Sequence, residues 1–134
     1  IELVGLQDFT DHYPIALSGG MKMRASLARS LVLEPELFLF DEPFGALDLI
    51  TRGRLNVELM QLYNSKKFTS LFVTHSVEEA LFLSSRVLVF SGRPGTIKGE
   101  FKIPFKYPRD TEIRYTSEFA ELSGDVGRIL EKFS

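Results

Sequence analysis

No cysteine occurs among the 134 residues, which excludes disulfide scaffolds, thiolate metal sites and cysteine nucleophiles together and fits a reducing compartment. No apolar run approaches the roughly 20 residues that a membrane-spanning helix needs. A basic excess is missing as well. Sixteen Lys and Arg stand against 18 Asp and Glu, a formal charge of -2, unlike the strongly basic balance of a nucleic-acid-binding domain. Any anion-binding argument must therefore rest on local charge. Internal repeats and low-complexity tracts are absent too. The chain starts at Ile1 without an initiator Met or a basic-then-apolar leader, so further upstream sequence is expected. What is present, 44% apolar and 25% charged residues, fits one soluble globular unit with a real core.

Turn formers Gly5, Pro14, Gly19 and Gly20 lead into a first helical pattern, with Ser18 standing where a helix N-cap would stand. From Met21 to Leu33 the apolar Met23, Leu27 and Leu31 recur at spacing four, with Lys22 and Arg29 one heptad apart, which predicts an amphipathic helix with a basic side. Pro35 closes it. Leu37-Phe38-Leu39-Phe40 reads as a strand covered on both faces, stopped by Asp41-Glu42-Pro43. A second helix is predicted over 48–64 from Leu55, Leu59 and Leu62. A second buried strand follows over 70–74, with His75 at its end. Ser76 and Glu79 have the spacing of a capping box and so predict a helix start. Residues 86–90 form a third apolar strand, and Ile97, Phe101 and Ile103 alternate with Lys98, Glu100 and Lys102 as a half-exposed strand at a sheet margin. Pro104 and Pro108 bracket an extended linker. Phe119, Leu122, Val126, Ile129 and Phe133 mark one stripe of a final helix, weakened by Gly124 and Gly127 at about 1 kcal/mol each.

Four places could carry chemistry. Between His12 and Leu33 no acidic residue occurs, while Lys22, Arg24 and Arg29 all fall there. Ser18-Gly19-Gly20 at a helix start adds backbone N–H groups and the positive end of the helix dipole, the makings of a phosphate-binding corner. The plainer reading is a serine cap after a glycine turn. Asp41 and Glu42 are adjacent carboxylates at the C-terminal end of a strand, where ligands bind in parallel α/β sheets. An Asp there can hold Mg²⁺ while a neighbouring Glu accepts a proton from water. The alternative is a solvated loop start. His75 closes the next strand and is expected at the same sheet edge, whereas His12 reads as an ordinary loop residue. Asp48, after Gly45-Ala46-Leu47, could be simply the N-cap of the second helix.

In order, the chain carries Leu17-Ser18-Gly19-Gly20-Met21, then Leu37-Phe38-Leu39-Phe40-Asp41-Glu42-Pro43, then Ala46-Leu47-Asp48, then Thr74-His75-Ser76. In this it resembles the C-terminal part of an ATP-binding cassette (ABC) ATPase, whose signature, Walker B strand, D-loop and switch histidine come in that order. The resemblance implies an α/β fold, a partial P-loop NTPase core with a mainly parallel sheet flanked by helices, lacking the Walker A half. It implies that Asp41 holds Mg²⁺ through water, that Glu42 is the general base for the attacking water and that His75 contacts the γ-phosphate of ATP. Ser18, Gly19, Gly20 and Met21 would bind a nucleotide held mainly by the opposite subunit, and Asp48 would communicate across that dimer.

Met21 replaces the Gln common at the end of the signature, and Gly45 a frequent Ser. Together with Tyr13-Pro14 and Ser91-Gly92-Arg93-Pro94-Gly95 these look like the importer subfamily for nitrate, sulfonates, taurine and related solutes. No Gly-x-x-x-x-Gly-Lys-Ser/Thr stands anywhere in the chain, so the main cradle for the β- and γ-phosphates is missing and the chain alone is expected to be inactive. The expected organisation is the end of a helical subdomain over 1–33, the C-terminal part of the ATPase core over 34–103, and a linker with a C-terminal helix over 104–134. The implied partners are a second ATPase subunit, a transmembrane permease and indirectly a solute-binding protein, with no nucleic acid, at the cytoplasmic face of the inner or plasma membrane. A non-transport cassette ATPase of DNA repair or translation, and a non-catalytic module that donates only its signature, remain alternatives. Removal of a phosphate-loop strand would leave a gap beside the strand 70–74, to be closed by pairing with the strand 86–90 or by exchange between copies.

Overall fold

Capping chemistry and apolar spacing set the element boundaries in the computed structural model, which describes residues 1–133. The chain forms two compact units, Ile1–Val73 and Thr74–Ser134. In the first, 3₁₀ turns at Glu2–Val4, Gln7–Phe9 and Pro14–Ala16 precede helix α1 (Gly19–Leu31), strand β1 (Leu37–Asp41), helix α2 (Leu49–Lys66) and strand β2 (Thr69–Val73). β1 and β2 are parallel and in register, Phe38 opposite Ser70, Phe40 opposite Phe72 and Asp41 opposite Val73. Because side chains alternate across a strand, Phe38, Phe40 and Phe72 share one face. The Phe38 and Phe68 rings lie 4.6 Å apart and Phe44 meets Phe72 at 5.8 Å. On α2, Leu55, Leu59, Met60 and Leu62 are buried, and the helix ends where Lys67 turns left-handed at φ 52°.

The other face of the pair departs from expectation. Leu39 is 71% exposed and Leu71 57%, and Leu37 and Val73 are exposed beside them. Neither strand is covered on both sides, so their continuous apolar runs carry one packed face and one open one.

In the second unit, helix α3 (Val77–Leu83), strands β3 (Arg86–Phe90) and β4 (Ile97–Lys102), a 3₁₀ turn (Thr111–Tyr115) and helix α4 (Ser117–Phe133) surround one core. Leu81, Val87, Val89, Ile103, Phe105, Phe119 and Val126 are buried together, and Leu122 and Ile129 of α4 pack against them. β3 and β4 are antiparallel, Val87 opposite Phe101 and Val89 opposite Gly99. A Cβ on Gly99 would stand 3.1 Å from Ile129 Cδ1 and from Phe101 Cε2, so glycine lets α4 lie close over the strand. Among the described residues the sheet content is thus one parallel and one antiparallel pair, β2 pairing with β1 and β3 with β4.

The extended segment after β4 is docked on the core. Phe105 is buried, and the buried guanidinium of Arg109 donates from Nη1 to the carbonyls of Leu81, Phe82 and Ser84 at 2.8, 2.7 and 2.9 Å, and from Nε and Nη2 to that of Phe105 at 3.1 and 2.9 Å. Three of these acceptors lie at the C-terminal end of α3, where carbonyls lack intrahelical partners. Tyr107 lies under the guanidinium, 4.2 Å from its ring centroid, and donates its hydroxyl to the Leu83 carbonyl at 2.7 Å.

Candidate functional site

α1 starts as its sequence predicts. Ser18 is extended and its Oγ accepts from the Met21 N–H at 3.3 Å. The two glycines that follow serve packing as well as access. A Cβ on Gly19 would meet Leu47 Cδ2 at 3.0 Å, and one on Gly20 would meet Thr51 Cγ2 at 3.0 Å and Leu55 Cδ1 at 3.7 Å. The first unit therefore brings the N-terminal ends of α1 and α2 against each other, joining Ser18-Gly19-Gly20 to the Leu47-Asp48 turn. Residue spacing carries no sign of this contact.

Asp48 caps α2, its Oδ1 accepting from the Ile50 and Thr51 N–H groups at 3.1 and 3.0 Å. Hydrogen bonding from Thr51, side chain first and then backbone, outweighs desolvation and with the Ile50 amide holds this exposed carboxyl below its ordinary value of 3.8. Arg52 ties the same turn by donating from Nη2 to the carbonyls of Gly45 and Leu47 at 3.3 and 3.2 Å.

The three cations of the acid-free window divide. Arg24 is turned inward, donating from Nη1 to the Val4 and Gly5 carbonyls at 3.3 and 3.4 Å and lying 3.8 Å from the Glu58 carboxylate. It anchors the N-terminal turn to α1 and is not part of an anion-binding surface. Lys22 and Arg29 are exposed.

Asp41 ends β1 and Glu42 follows it, both exposed. The Glu42 N–H donates to the Val73 carbonyl at 2.9 Å, carrying the parallel pairing one residue past the strand. Glu42 itself has φ 43°, a left-handed backbone that a non-glycine residue adopts at a cost of about 1 kcal/mol. That conformation breaks the strand abruptly. Gly45 allows the turn to fold back, its Cβ position being 3.3 Å from Glu42 Oε2. Among the described residues no cluster of three His, Cys, Asp or Glu side chains could cage a metal. Mg²⁺ needs no such cage, since one or two carboxylates with phosphate oxygens and water complete its shell, and Asp41 fits that role.

His75 is exposed and lies two residues beyond Val73, in the second unit. The peptides around it are held by hydrogen bonds: the Thr74 hydroxyl donates to Glu79 Oε2 at 2.7 Å and accepts from the Ser76 N–H at 3.0 Å, and Ser76 Oγ accepts from the Glu79 N–H at 3.3 Å. The capping box is thus half realised. Ser76 caps α3, but the Glu79 carboxylate takes Thr74 in place of the Ser76 amide, and Thr74 supplies that amide's acceptor. Thr74 stood in the sequence only as the flank of His75, with no role of its own, and Arg109 was not singled out. A hydroxyl next to a histidine and an arginine in a proline-bracketed segment carry no periodic signal. His12 is exposed, with its ring 5.4 Å from that of Phe9, in keeping with an ordinary loop residue.

Comparison with known proteins bears on what this arrangement belongs to. Residues 1–45 match the ABC transporter family profile. An ABC transporter ATP-binding protein of Methanocaldococcus jannaschii is 48% identical over 131 residues, covering 98% of this chain and 48% of that protein. A nitrate import ATP-binding protein of Synechocystis is 41% identical over 136 residues, covering 97% of this chain and 51% of its own length. Among solved structures, a dimeric post-hydrolysis ATP-binding cassette bound to ADP and Pi matches with a TM-score of 0.61 at 29% identity, over 78% of this chain and 44% of that one. The chain spans about half the length of the curated relatives it matches. Similarity that runs through almost all of its residues and extends to its backbone makes the chain a member of the ATP-binding cassette ATPase family.

Proposed function

We propose that this chain is part of the ATP-hydrolysing subunit of a solute importer, in which ATP binding closes a dimer of such subunits and hydrolysis reopens it to drive a transmembrane permease. The observation that carries the reading is the left-handed Glu42 at the end of β1, a strained acidic residue where a base is required. Its carboxylate accepts a proton from the attacking water. Asp41 would hold Mg²⁺ through water, a charge that would neutralise the phosphates when bound. His75 contacts the γ-phosphate. Ser18, Gly19, Gly20 and Met21 present N–H groups and a helix N-terminus to the nucleotide of the opposite subunit. Asp48, on the turn that packs against Gly19, links that contact to α2. In domain terms, 1–33 ends the helical subdomain, 34–103 belongs to the ATPase core and 104–134 is a linker and helix.

The nitrate import subunit among the relatives supports a small solute of the nitrate, sulfonate or taurine class; a separate binding protein would deliver it. The subunit would sit at the cytoplasmic face of the membrane; among the described residues no helix is long and apolar enough to cross it.

In a full-length protein carrying this chain, Glu42→Gln should lower steady-state ATP turnover by about 10²-fold or more and leave ATP binding intact, since the amide keeps the shape and cannot accept the proton. Asp41→Asn should instead weaken the Mg²⁺ dependence. The chain by itself, without a phosphate loop, should release no phosphate above its own Glu42→Gln control. A Glu42→Gln protein with ordinary turnover would refute the assignment.

A further inference from the structure

An N-cap serine needs only its own hydroxyl, and a capping box needs only Ser76 and Glu79. Here a third group is added. Thr74 Oγ accepts from the N–H two residues on, at 3.0 Å, closing a turn around the peptide of His75. The same hydroxyl donates to Glu79 Oε2 at 2.7 Å, and the Glu79 N–H returns to Ser76 Oγ at 3.3 Å. These three bonds form a ring through Thr74, Ser76 and Glu79 with His75 at its outer edge. Glu79 is 5% exposed, whereas His75 itself is exposed. A buried carboxylate is costly to desolvate, and here it fixes the hydroxyl that orients the backbone of an exposed imidazole.

The frame behind the ring is rigid as well. Arg109 holds the last carbonyls of α3. On the first turn Arg114 Nε lies 3.2 Å from Glu78 Oε1, with the Arg114 guanidinium 4.1 Å from the Phe82 ring centroid. α3 is thus held at both ends, by Arg109 and by Arg114.

We infer that Thr74 and Glu79 are positioning residues that hold His75 in the orientation its contact with phosphate requires. This rests on the reading of His75 given above and deepens it. Holding a group in place matters because a displacement of about 1 Å can cost roughly 10²-fold in rate.

The test has two arms. In the chain described here, the ¹⁵N order parameter of His75 should equal that of α3, about 0.85, and drop below about 0.6 in Thr74→Val, with recovery in Thr74→Ser. In a full-length protein carrying the chain, Thr74→Val should lower kcat roughly tenfold with KM for ATP within about twofold, and Thr74→Ser should restore it. Added to His75→Ala, Thr74→Val should cost nothing more. Thr74→Ala gives the same comparisons if the valine variant does not fold. An unchanged order parameter, or losses that multiply in the double variant, would overturn the positioning role. Normal turnover in His75→Ala would overturn the reading of His75 itself and leave Thr74 and Glu79 without a reaction to serve.

Discussion

Arg109 donates to the carbonyl of Phe82 at 2.7 Å although the two residues stand 27 apart in the chain. The guanidinium caps α3 with a side chain from the extended segment after β4, and so the segment with least regular structure is among the most firmly held. Five donors in a planar fork suit several carbonyls at once, which a lysine cannot match.

Arg109→Ala should leave the carbonyls of Leu81, Phe82 and Ser84 without their donor and open a cavity beside Tyr107. A loss of about 3 kcal/mol is expected in urea denaturation, with Arg109→Lys intermediate. A change below about 0.5 kcal/mol, within the range of ordinary surface substitutions, would show that water replaces the guanidinium at little cost.

The two glycines of the Ser18 cap should respond unequally to alanine. At Gly19 the obstructing atom is the flexible end of Leu47, so the helix-forming gain of up to about 1 kcal/mol offsets the crowding. At the buried Gly20 the obstacle is the β-branched Thr51, and Gly20→Ala should destabilise by about 1–2 kcal/mol. Equal thermal shifts for the two variants would contradict this packing.

Asp48 gives a sign for acid sensitivity. Its folded-state pKa lies below the ordinary 3.8, so its contribution is fully present above that value and is lost as pH falls through the folded pKa. Asp48→Asn keeps a capping acceptor without the titration. The difference in stability between the parent and this variant should be constant above pH 5 or so and should shrink in strong acid. A difference that grows on acidification would reverse the assignment.

Self-association is expected of the chain in isolation. Leu37, Leu39, Leu71 and Val73 form an exposed apolar face on β1 and β2, and surfaces of this kind recruit other apolar surfaces. Light scattering should show a mass that rises with concentration, reduced in Leu39→Lys/Leu71→Lys. A monodisperse monomer at high concentration would show that the face is tolerated in water.

Residue spacing alone located the helices and strands to within a few residues. Ser18, Asp48 and Ser76 were legible as caps because an N-cap is a local event, decided by one short side chain and the next three amides. The segments around Ser18, Asp41, Asp48 and His75 were legible as a resemblance to the ABC ATPase family, carried by the identity and order of their residues. Apolar composition misled where burial was concerned. Leu37-Phe38-Leu39-Phe40 reads the same whether one face or two are covered, and only the tertiary structure shows Leu39 exposed while Phe38 is buried. Tertiary structure alone also turned Arg24 inward to Val4 and Gly5 and set Gly20 against Thr51. It likewise took Glu79 away from its capping box to Thr74 and brought Arg109 to α3. These pairings join groups through space, and a charge or a hydroxyl chooses among partners according to which unsatisfied carbonyl or amide the packed backbone leaves within reach.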